Sequence, residues 1–248
     1  MYFVAPRQLI FPGDVVATAD SKVEGPVYLD NGRYRSLVVG LVEFRDDGVV
    51  IVPLEGVYKP KKGDLVVGYV TDVLATGWEV DVKSFMPAYL PVGEALHKHV
   101  DLETTPLTTF LNIGDVVVAK VKDVDLTDEY PIILTLKEDR VGKVESGTVV
   151  EIAPVKVPRV IGRKGSMLNT LMELGCDIVV GQNGRIWVRC KDAHDEVFLA
   201  SIIRKIEAES HVMGLTDRVK AEIENYKRRK QQAASSDTPS SQTPLRSV

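Results

Sequence analysis

The chain has 248 residues, of which 44% are hydrophobic and 27% charged, with a formal net charge of −4. This composition is typical of a folded protein of two or three small domains, and it excludes a membrane-spanning helix because no long apolar run exists. The N-terminus has no secretory signal pattern, and the two cysteines, Cys176 and Cys190, lack metal-ligand spacing. We therefore expect a reducing, cytoplasmic setting and two small buried cysteine side chains.

Short strands with hairpin turns are predicted in residues 1–60. VYL is separated from RYRSLVVGLVEF by Asp30-Asn31-Gly32, and that run is separated from VVIVPL by Asp46-Asp47-Gly48. Asn-Gly and Asp-Gly supply the positive φ angles that tight hairpin turns need. The pattern predicts a small all-β domain, which is too small to bury much apolar surface unless it packs on a neighbour or a partner.

Five further short strands are predicted in residues 61–142. They are DLVVGYVTDVL, GWEVDV, a strand within FMPAYLP, GDVVVAKVKDVD and PIILTLKE, with a polar insert before the fourth. This pattern is typical of an OB-like β-barrel. The surrounding segment, residues 63–146, carries 7 basic and 15 acidic side chains.

From residue 147 strands and helices alternate. TVVEIA, PVKVPRVI, SMLNTLMELG, CDIVVG, RIWVRC and DAHDEVFLASIIRKIEAES predict a βααββα order over residues 147–212. A helix is predicted over 213–230, and the Ser/Thr/Pro/Gln-rich residues 231–248 are predicted to be disordered. Residues 147–191 carry 7 basic and 3 acidic side chains. Because phosphate attraction depends on local cations, we expect a nucleic-acid contact here first.

Gly162-Arg163-Lys164-Gly165 lies between the first two helices of this segment. Glycines allow a sugar-phosphate backbone to approach the main chain, the following helix N-terminus favours an anion, and Arg163 and Lys164 add charge without reading sequence. A basic turn without function is the alternative. The βααββα order with this loop in phase resembles a type I KH domain, in which the loop binds single-stranded RNA and an apolar groove holds the bases. The groove residues implied are Ile161, Leu168, Ile178 and Val180.

Residues 61–142 resemble an S1 domain, an OB-fold RNA-binding module, through Gly63-Asp64, VVGYVTDV, Gly77-Trp78 and GDVVVAKVKDVD. The resemblance places Trp78 on the RNA face, and packing in the core or at an interface is an equal alternative. Phe85 or Tyr89 would supply a second stacking ring. Because the domain is acidic, RNA binding there requires well-placed cations, for which the candidates are Lys83, Lys120 and Lys122.

The sequence offers no catalytic residues, no metal site and no cofactor motif. It lacks a nucleophile–base pair, HExxH, a P-loop and carboxylates clustered for two-metal chemistry. His97-Lys98-His99, Asp123 and Asp125 are interpreted as solvated side chains rather than metal ligands.

The order of a small β domain, an S1 domain and a single KH domain resembles the RNA-binding cap subunit of the archaeal exosome. That family implies a non-catalytic subunit, three of which bind a hexameric RNase PH-like ring through their N-terminal domains. It also implies that the subunit increases RNA binding and promotes 3′→5′ degradation by the ring. An S1/KH transcription-elongation or translation factor is the alternative, although such elongation factors usually carry two KH domains. An RNA-processing enzyme is a third reading, for which the sequence offers no site.

Overall fold

The computed structural model describes residues 1–45, 48–96, 105–210, 212 and 214–236. The chain forms two compact units. The first comprises residues 1–145, 151–157 and 180–186, and the second comprises 146–150, 158–179 and 187–248. Within the described ranges, none of the helices combines the length and the apolar character needed to cross a membrane.

Two small sheets form the N-terminal domain. Their strands are β1 (Leu9–Ile10), β2 (Val15–Thr18), β3 (Val23–Glu24), β4 (Val27–Asp30), β5 (Arg33–Ser36), β6 (Gly40–Arg45) and β7 (Gly48–Pro53). One sheet has the order β1-β6-β7-β3 and the other β2-β5-β4. The core they share is small, comprising Ile10, Val16, Ala17, Val42, Val49 and Ile51. This small core agrees with the prediction that the N-terminal domain buries little apolar surface by itself.

The first predicted hairpin turn is present in this domain. Asn31 and Gly32 have φ angles of 45° and 75° and connect β4 to β5. The run RYRSLVVGLVEF, however, is divided between the two sheets. The buried Ser36 hydroxyl donates to the carbonyl oxygen of Val38 at 2.7 Å, which forms a turn between β5 and β6. Asp46 and Asp47 of the second predicted turn lie outside the described residues.

A closed barrel follows. Its elements are β8 (Leu65–Leu74), β9 (Gly77–Asp81), β10 (Ala88–Pro91), α1 (Val92–Ala95), a 3₁₀ turn (Leu107–Thr109), β11 (Val116–Val124), β12 (Ile132–Thr135) and the short β13 (Gly142–Val144). The strand order is β12-β10-β9-β8-β11-β13, and β12 also pairs with β11, which closes the barrel. The predicted five-stranded OB-like fold is confirmed.

The βααββα order of a KH domain is confirmed as well. It consists of β14 (Thr148–Glu151), α2 (Val157–Ile161), α3 (Ser166–Met172), β15 (Asp177–Val180), β16 (Arg185–Arg189) and α4 (Ala193–Ala208), followed by α5 (Leu215–Ser236). Its strands form a sheet in the order β14-β16-β15. Helix α4 begins after Asp192, whose side chain accepts a hydrogen bond from the amide of His194 at 3.0 Å. Helix α5 extends six residues past the predicted end at 230. The rest of the segment predicted to be disordered, 237–248, lies outside the described residues.

Cys176 and Cys190 form a disulfide, so the expectation of two independent small side chains is wrong. Cys176 directly precedes β15 and Cys190 directly follows β16. The bond therefore joins the open end of this hairpin. Disulfides inside cells are uncommon outside hyperthermophiles, and a count of two cysteines did not indicate one.

The turn between β15 and β16 is bound to barrel strands within the first unit. Asn183 is fully buried. Its Nδ2 donates to the carbonyl oxygens of Val67 and Val82 at 2.7 and 3.0 Å, and its Oδ1 accepts from the Val67 amide at 3.3 Å. The Gln182 amide donates to the Leu65 carbonyl oxygen at 2.7 Å. The Asn-Gly pair thus forms a hairpin turn and also supplies a side chain that satisfies buried backbone groups.

Arg185, at the start of β16, adds ion pairs to the contacts between the β15–β16 hairpin and the barrel strands. It is 5% exposed, and its guanidinium forms ion pairs with Asp81 at 2.6 Å and Glu151 at 2.8 Å. It also lies 4.7 Å from the centre of the Tyr69 ring. Burial would raise the pKa values of both carboxyl groups, but the hydrogen bonds and positive charge of Arg185 hold them below their ordinary values.

Replacing Asn183 by alanine should lower the free energy of unfolding by about 3 kcal/mol, because buried polar groups of Val67 and Val82 lose their partners. Guanidinium unfolding followed by tryptophan fluorescence measures the loss. The matched control is Gln182→Ala, since Gln182 lies in the same turn with an exposed side chain. An equal change in the two variants would show that the Asn183 hydrogen bonds do not hold the turn.

Candidate nucleic-acid interface

The loop between α2 and α3 has the backbone geometry that its glycines predict. Gly162 has a φ of 73°, and a Cβ there would lie 2.7 Å from the Met167 amide nitrogen. Lys164 and Gly165 have φ angles of 53° and 78°. A Cβ added to Gly165 would meet nothing within 4 Å, so the main chain is accessible at this point. Gly162 is therefore required by local packing, whereas Gly165 leaves space for a ligand.

Arg163 and Lys164 are exposed, and neither forms an ion pair with a residue that the structure describes. Arg159 on α2 differs, because its guanidinium donates to the Val212 carbonyl oxygen at 2.7 Å. Two cationic side chains beside accessible backbone can bind a phosphate without recognising a base. The predicted loop residues are thus brought together, and their role in phosphate binding stays a prediction.

The predicted groove residues have unequal exposure. Ile161, Leu168 and Ile178 are partly exposed, so each can present apolar surface to a base. Val180 is only 9% exposed and contributes mainly to the interior. The apolar groove for bases stays a prediction, and it depends on Ile161, Leu168 and Ile178.

Trp78 lies in the core of the barrel and not on an RNA face. It is 0% exposed, and its indole N–H donates to the Leu111 carbonyl oxygen at 3.0 Å. Side chains alternate across β9, so Trp78 and Val80 point inward while Glu79 and Asp81 are partly exposed. The expectation that Trp78 stacks on a base is corrected in favour of its alternative, core packing.

The other two predicted aromatic residues differ in accessibility. Phe85 is 53% exposed, whereas Tyr89 is 8% exposed. The Tyr89 ring is stacked on Tyr130 with centroids 4.1 Å apart, and its hydroxyl is hydrogen-bonded to Thr76 at 2.7 Å. A Cβ on Gly77 would come within 2.8 Å of the Tyr89 ring, so that glycine allows the ring to pack. Phe85 can stack on a base as it stands, and Tyr89 cannot.

Each predicted lysine of the barrel is bonded to a carboxylate. Lys83 contacts Glu151 at 3.1 Å, Lys120 contacts Glu138 at 2.9 Å, and Lys122 contacts Glu94 at 2.8 Å. The Lys122 hydrogen bond holds the pKa of Glu94 below its ordinary value. Because partly exposed pairs are weak, RNA can compete for these lysines. None of the three is a free cation comparable to Arg163 or Lys164.

The carboxylates considered as metal ligands have structural partners. Asp123 pairs with Lys62 at 3.6 Å, and Asp125 accepts hydrogen bonds from the Thr127 amide and hydroxyl at 2.9 and 2.7 Å. These bonds, the backbone one first, lower the pKa of Asp125. In the part of the chain that the structure describes, no group of three or more His, Cys, Asp or Glu residues could hold a metal ion. His97-Lys98-His99 lies outside that part.

Comparison with known proteins follows the same division of the chain. Family models match residues 7–55 as the exosome RNA binding protein RRP4 N-terminal domain, 57–123 as the RRP4 S1 domain and 147–194 as a KH domain. Exosome complex component Rrp4 of Pyrobaculum aerophilum is 89% identical over 232 residues, which cover 94% of this chain and 99% of that protein. This chain belongs to the Rrp4 family.

Two further comparisons agree with the Rrp4 assignment. Exosome complex component Rrp4 of Thermofilum pendens is 43% identical, over 89% of this chain and 94% of its own length. A crystal structure of a protein assigned as an exosome complex RNA-binding protein has a TM-score of 0.65 and 37% identity, and the match covers 71% of this chain and 99% of the other. The resemblance inferred from the domain order is thus confirmed, and an elongation or translation factor is not favoured.

Proposed function

We propose that this Rrp4 family member is a non-catalytic, cytoplasmic exosome subunit that binds single-stranded RNA. It caps a hexameric RNase PH-like ring in three copies and promotes 3′→5′ degradation by that ring. Residues 1–60 attach it to the ring, residues 61–142 contact bases, and residues 147–212 contact the phosphate backbone. Family membership supports the exosome association, since the matched models and relatives are exosome components.

The observation that carries RNA binding is the loop Gly162–Gly165. It combines two exposed cationic side chains with a main chain that is open at Gly165. The second unit contains this loop, and the sequence around it is the locally basic part of an otherwise acidic chain. Such an arrangement attracts a polyanion locally although the whole chain repels it.

The N-terminal domain supplies a surface for the ring. Leu9, Phe11, Leu37 and Val39 are each more than a third exposed, and we call them the apolar edge. Leu9 pairs with Leu41 of β6 and Ile10 pairs with Gly40, which places Phe11 beside Val39, and Leu37 lies two residues before Val39 along the chain. Contiguous exposed apolar side chains mark protein interfaces. A domain with a small core gains stability when such an edge is covered.

The proposal that this chain binds RNA while the ring degrades it is tested with an end-labelled, 30-nucleotide RNA in phosphate buffer. The purified chain alone should leave the RNA at full length. A ring of RNase PH-like subunits should shorten it faster when the chain is added than without it, because the cap raises the local concentration of RNA. Shortening by the chain alone would contradict a non-catalytic role, and an unchanged rate with the ring would contradict the cap role.

A further inference from the structure

Three segments of the barrel meet at one aromatic pair. Tyr130 lies in the loop between β11 and β12, and its ring stacks on Tyr89 of β10 with an angle of 21° between the planes. Thr76, in the turn between β8 and β9, is hydrogen-bonded to the Tyr89 hydroxyl. OB-folds bind oligonucleotides through the loops that join strands 1 to 2 and strands 4 to 5. Here those loops carry Thr76 and Tyr130.

Tyr130 is the accessible member of the pair. It is 38% exposed, whereas Tyr89 is buried between Gly77 and Tyr130. Because Tyr89 covers one side of the Tyr130 ring, the exposed part is available for a further planar group. The Tyr130 hydroxyl has no hydrogen-bond partner among the described residues, so the packing of the Tyr130 ring does not depend on the hydroxyl.

The loop that carries Tyr130 is held in shape by its own hydrogen bonds. Asp125 accepts from Thr127 through one carboxylate oxygen, and its amide donates to the Pro131 carbonyl oxygen at 2.9 Å. The ring is also fixed by its contact with Tyr89. A ligand therefore meets an ordered platform, and little conformational entropy is lost on binding.

The charges around Tyr130 favour a neutral planar ligand and disfavour a phosphate. The same loop carries Asp125, Asp128 and Glu129, all exposed. The three predicted lysines of the barrel are each bonded to a carboxylate. An unpaired nucleobase is uncharged, and it stacks on an aromatic ring regardless of its identity. A phosphate would meet three carboxylates here, none of which forms an ion pair with a residue that the structure describes.

We propose that Tyr130 stacks on an unpaired RNA base, with Tyr89 as the support behind its ring. The barrel then binds bases through a contact that is insensitive to salt, while the Gly162–Gly165 loop binds phosphates through a contact that is sensitive to it. This inference rests on the proposed RNA-binding function and extends it to the chemistry of the barrel.

The test compares two ten-nucleotide probes, oligo(A) and a strand of the same length built from abasic spacers, by fluorescence anisotropy over a series of salt concentrations. Tyr130→Leu keeps apolar cover over Tyr89 and removes the ring. It should bind oligo(A) about tenfold more weakly, bind the abasic strand as the wild type does, and keep the same salt slope. Tyr130→Phe, the matched control, should bind both probes as the wild type does.

Three results would overturn the inference. The first is an unchanged ratio of oligo(A) to abasic affinity in Tyr130→Leu, at a melting temperature equal to that of Tyr130→Phe. The second is an equal loss for both probes at that same melting temperature, which would show that Tyr130 does not contact the base. The third is normal base binding with impaired association with the ring, which would make Tyr130 a protein contact. Failure of the wild type to bind oligo(A) at all would contradict the proposed function itself, and the inference would fall with it.

Discussion

Replacing Arg163 and Lys164 together by aspartate should weaken single-stranded RNA binding by about tenfold or more at low salt, because two favourable phosphate contacts become repulsive. The plot of log K against log salt concentration should also become shallower by about 1.4, the value for two phosphate contacts on a single strand. Both side chains are exposed, so the change should leave folding intact. Fluorescence anisotropy with a labelled oligonucleotide, repeated over a salt series, measures the two quantities.

The control is Lys59→Asp with Lys61→Asp, which changes the net charge by the same amount at two exposed lysines ahead of the barrel. An equal loss of affinity in both double variants would assign the effect to overall charge rather than to the loop. Unchanged affinity and slope in the loop variant would show that the loop is idle or covered. The change in the salt slope identifies a loss of phosphate contacts better than the affinity does. Misfolding would lower the affinity without making the slope shallower by about 1.4.

The fold could be predicted because its signals are local. The Asn31-Gly32 turn needs positive φ angles that neighbouring residues in sequence supply, and the strands on either side pair without distant information. Helix α4 has a capping residue at Asp192 and buried residues such as Leu199, Ile203 and Ile206 on one face. The Gly162–Gly165 loop is predictable in the same way, because its residues are adjacent along the chain.

The details of the barrel surface could not be predicted, because they depend on partners distant in sequence. Trp78 alternates with Glu79 along β9 and shares the inward face of Val80, but the acceptor of its indole N–H, the Leu111 carbonyl oxygen, lies 33 residues away in sequence. The sequence indicates Lys120 and Lys122 as candidate cations, but the fold brings Glu138 and Glu94 beside them. Sequence spacing contains no direct signal for such pairs.

Two further features were missed for the same reason. The Gln182-Asn183-Gly184 turn indicated a hairpin, but burial of Asn183 against Val67 joins residues 116 apart. Tyr130 lacks an alternating or glycine-linked pattern that would mark it, and its place in the loop between the last two barrel strands is the signal that could have found it. Knowledge of the fold is therefore needed before an aromatic residue in a loop can be interpreted.

Removing residues 1–55 should abolish association with the ring while RNA binding is retained, since the loop and Tyr130 lie beyond the deleted segment and Tyr58, which packs in the barrel core, is kept. Point variants test the surface without deleting a domain. Phe11→Asp with Leu37→Asp places two charges on the apolar edge and should weaken association strongly, because apolar anchors in an interface each contribute about 2 kcal/mol or more when they are hot spots. Size-exclusion chromatography with light scattering, with and without ring subunits, measures the complex.

Tyr28→Asp with Leu29→Asp is the matched control for that variant. These two residues are also exposed and apolar, but they lie on β4 of the other sheet of the same domain. If the apolar edge is the docking surface, the control should form the complex and the Phe11/Leu37 variant should not. Co-purification of the truncated chain with the ring would assign docking to the S1 or KH domain. Loss of the complex in both double variants, with both still folded by circular dichroism, would mean that the ring contacts both sheets of the N-terminal domain.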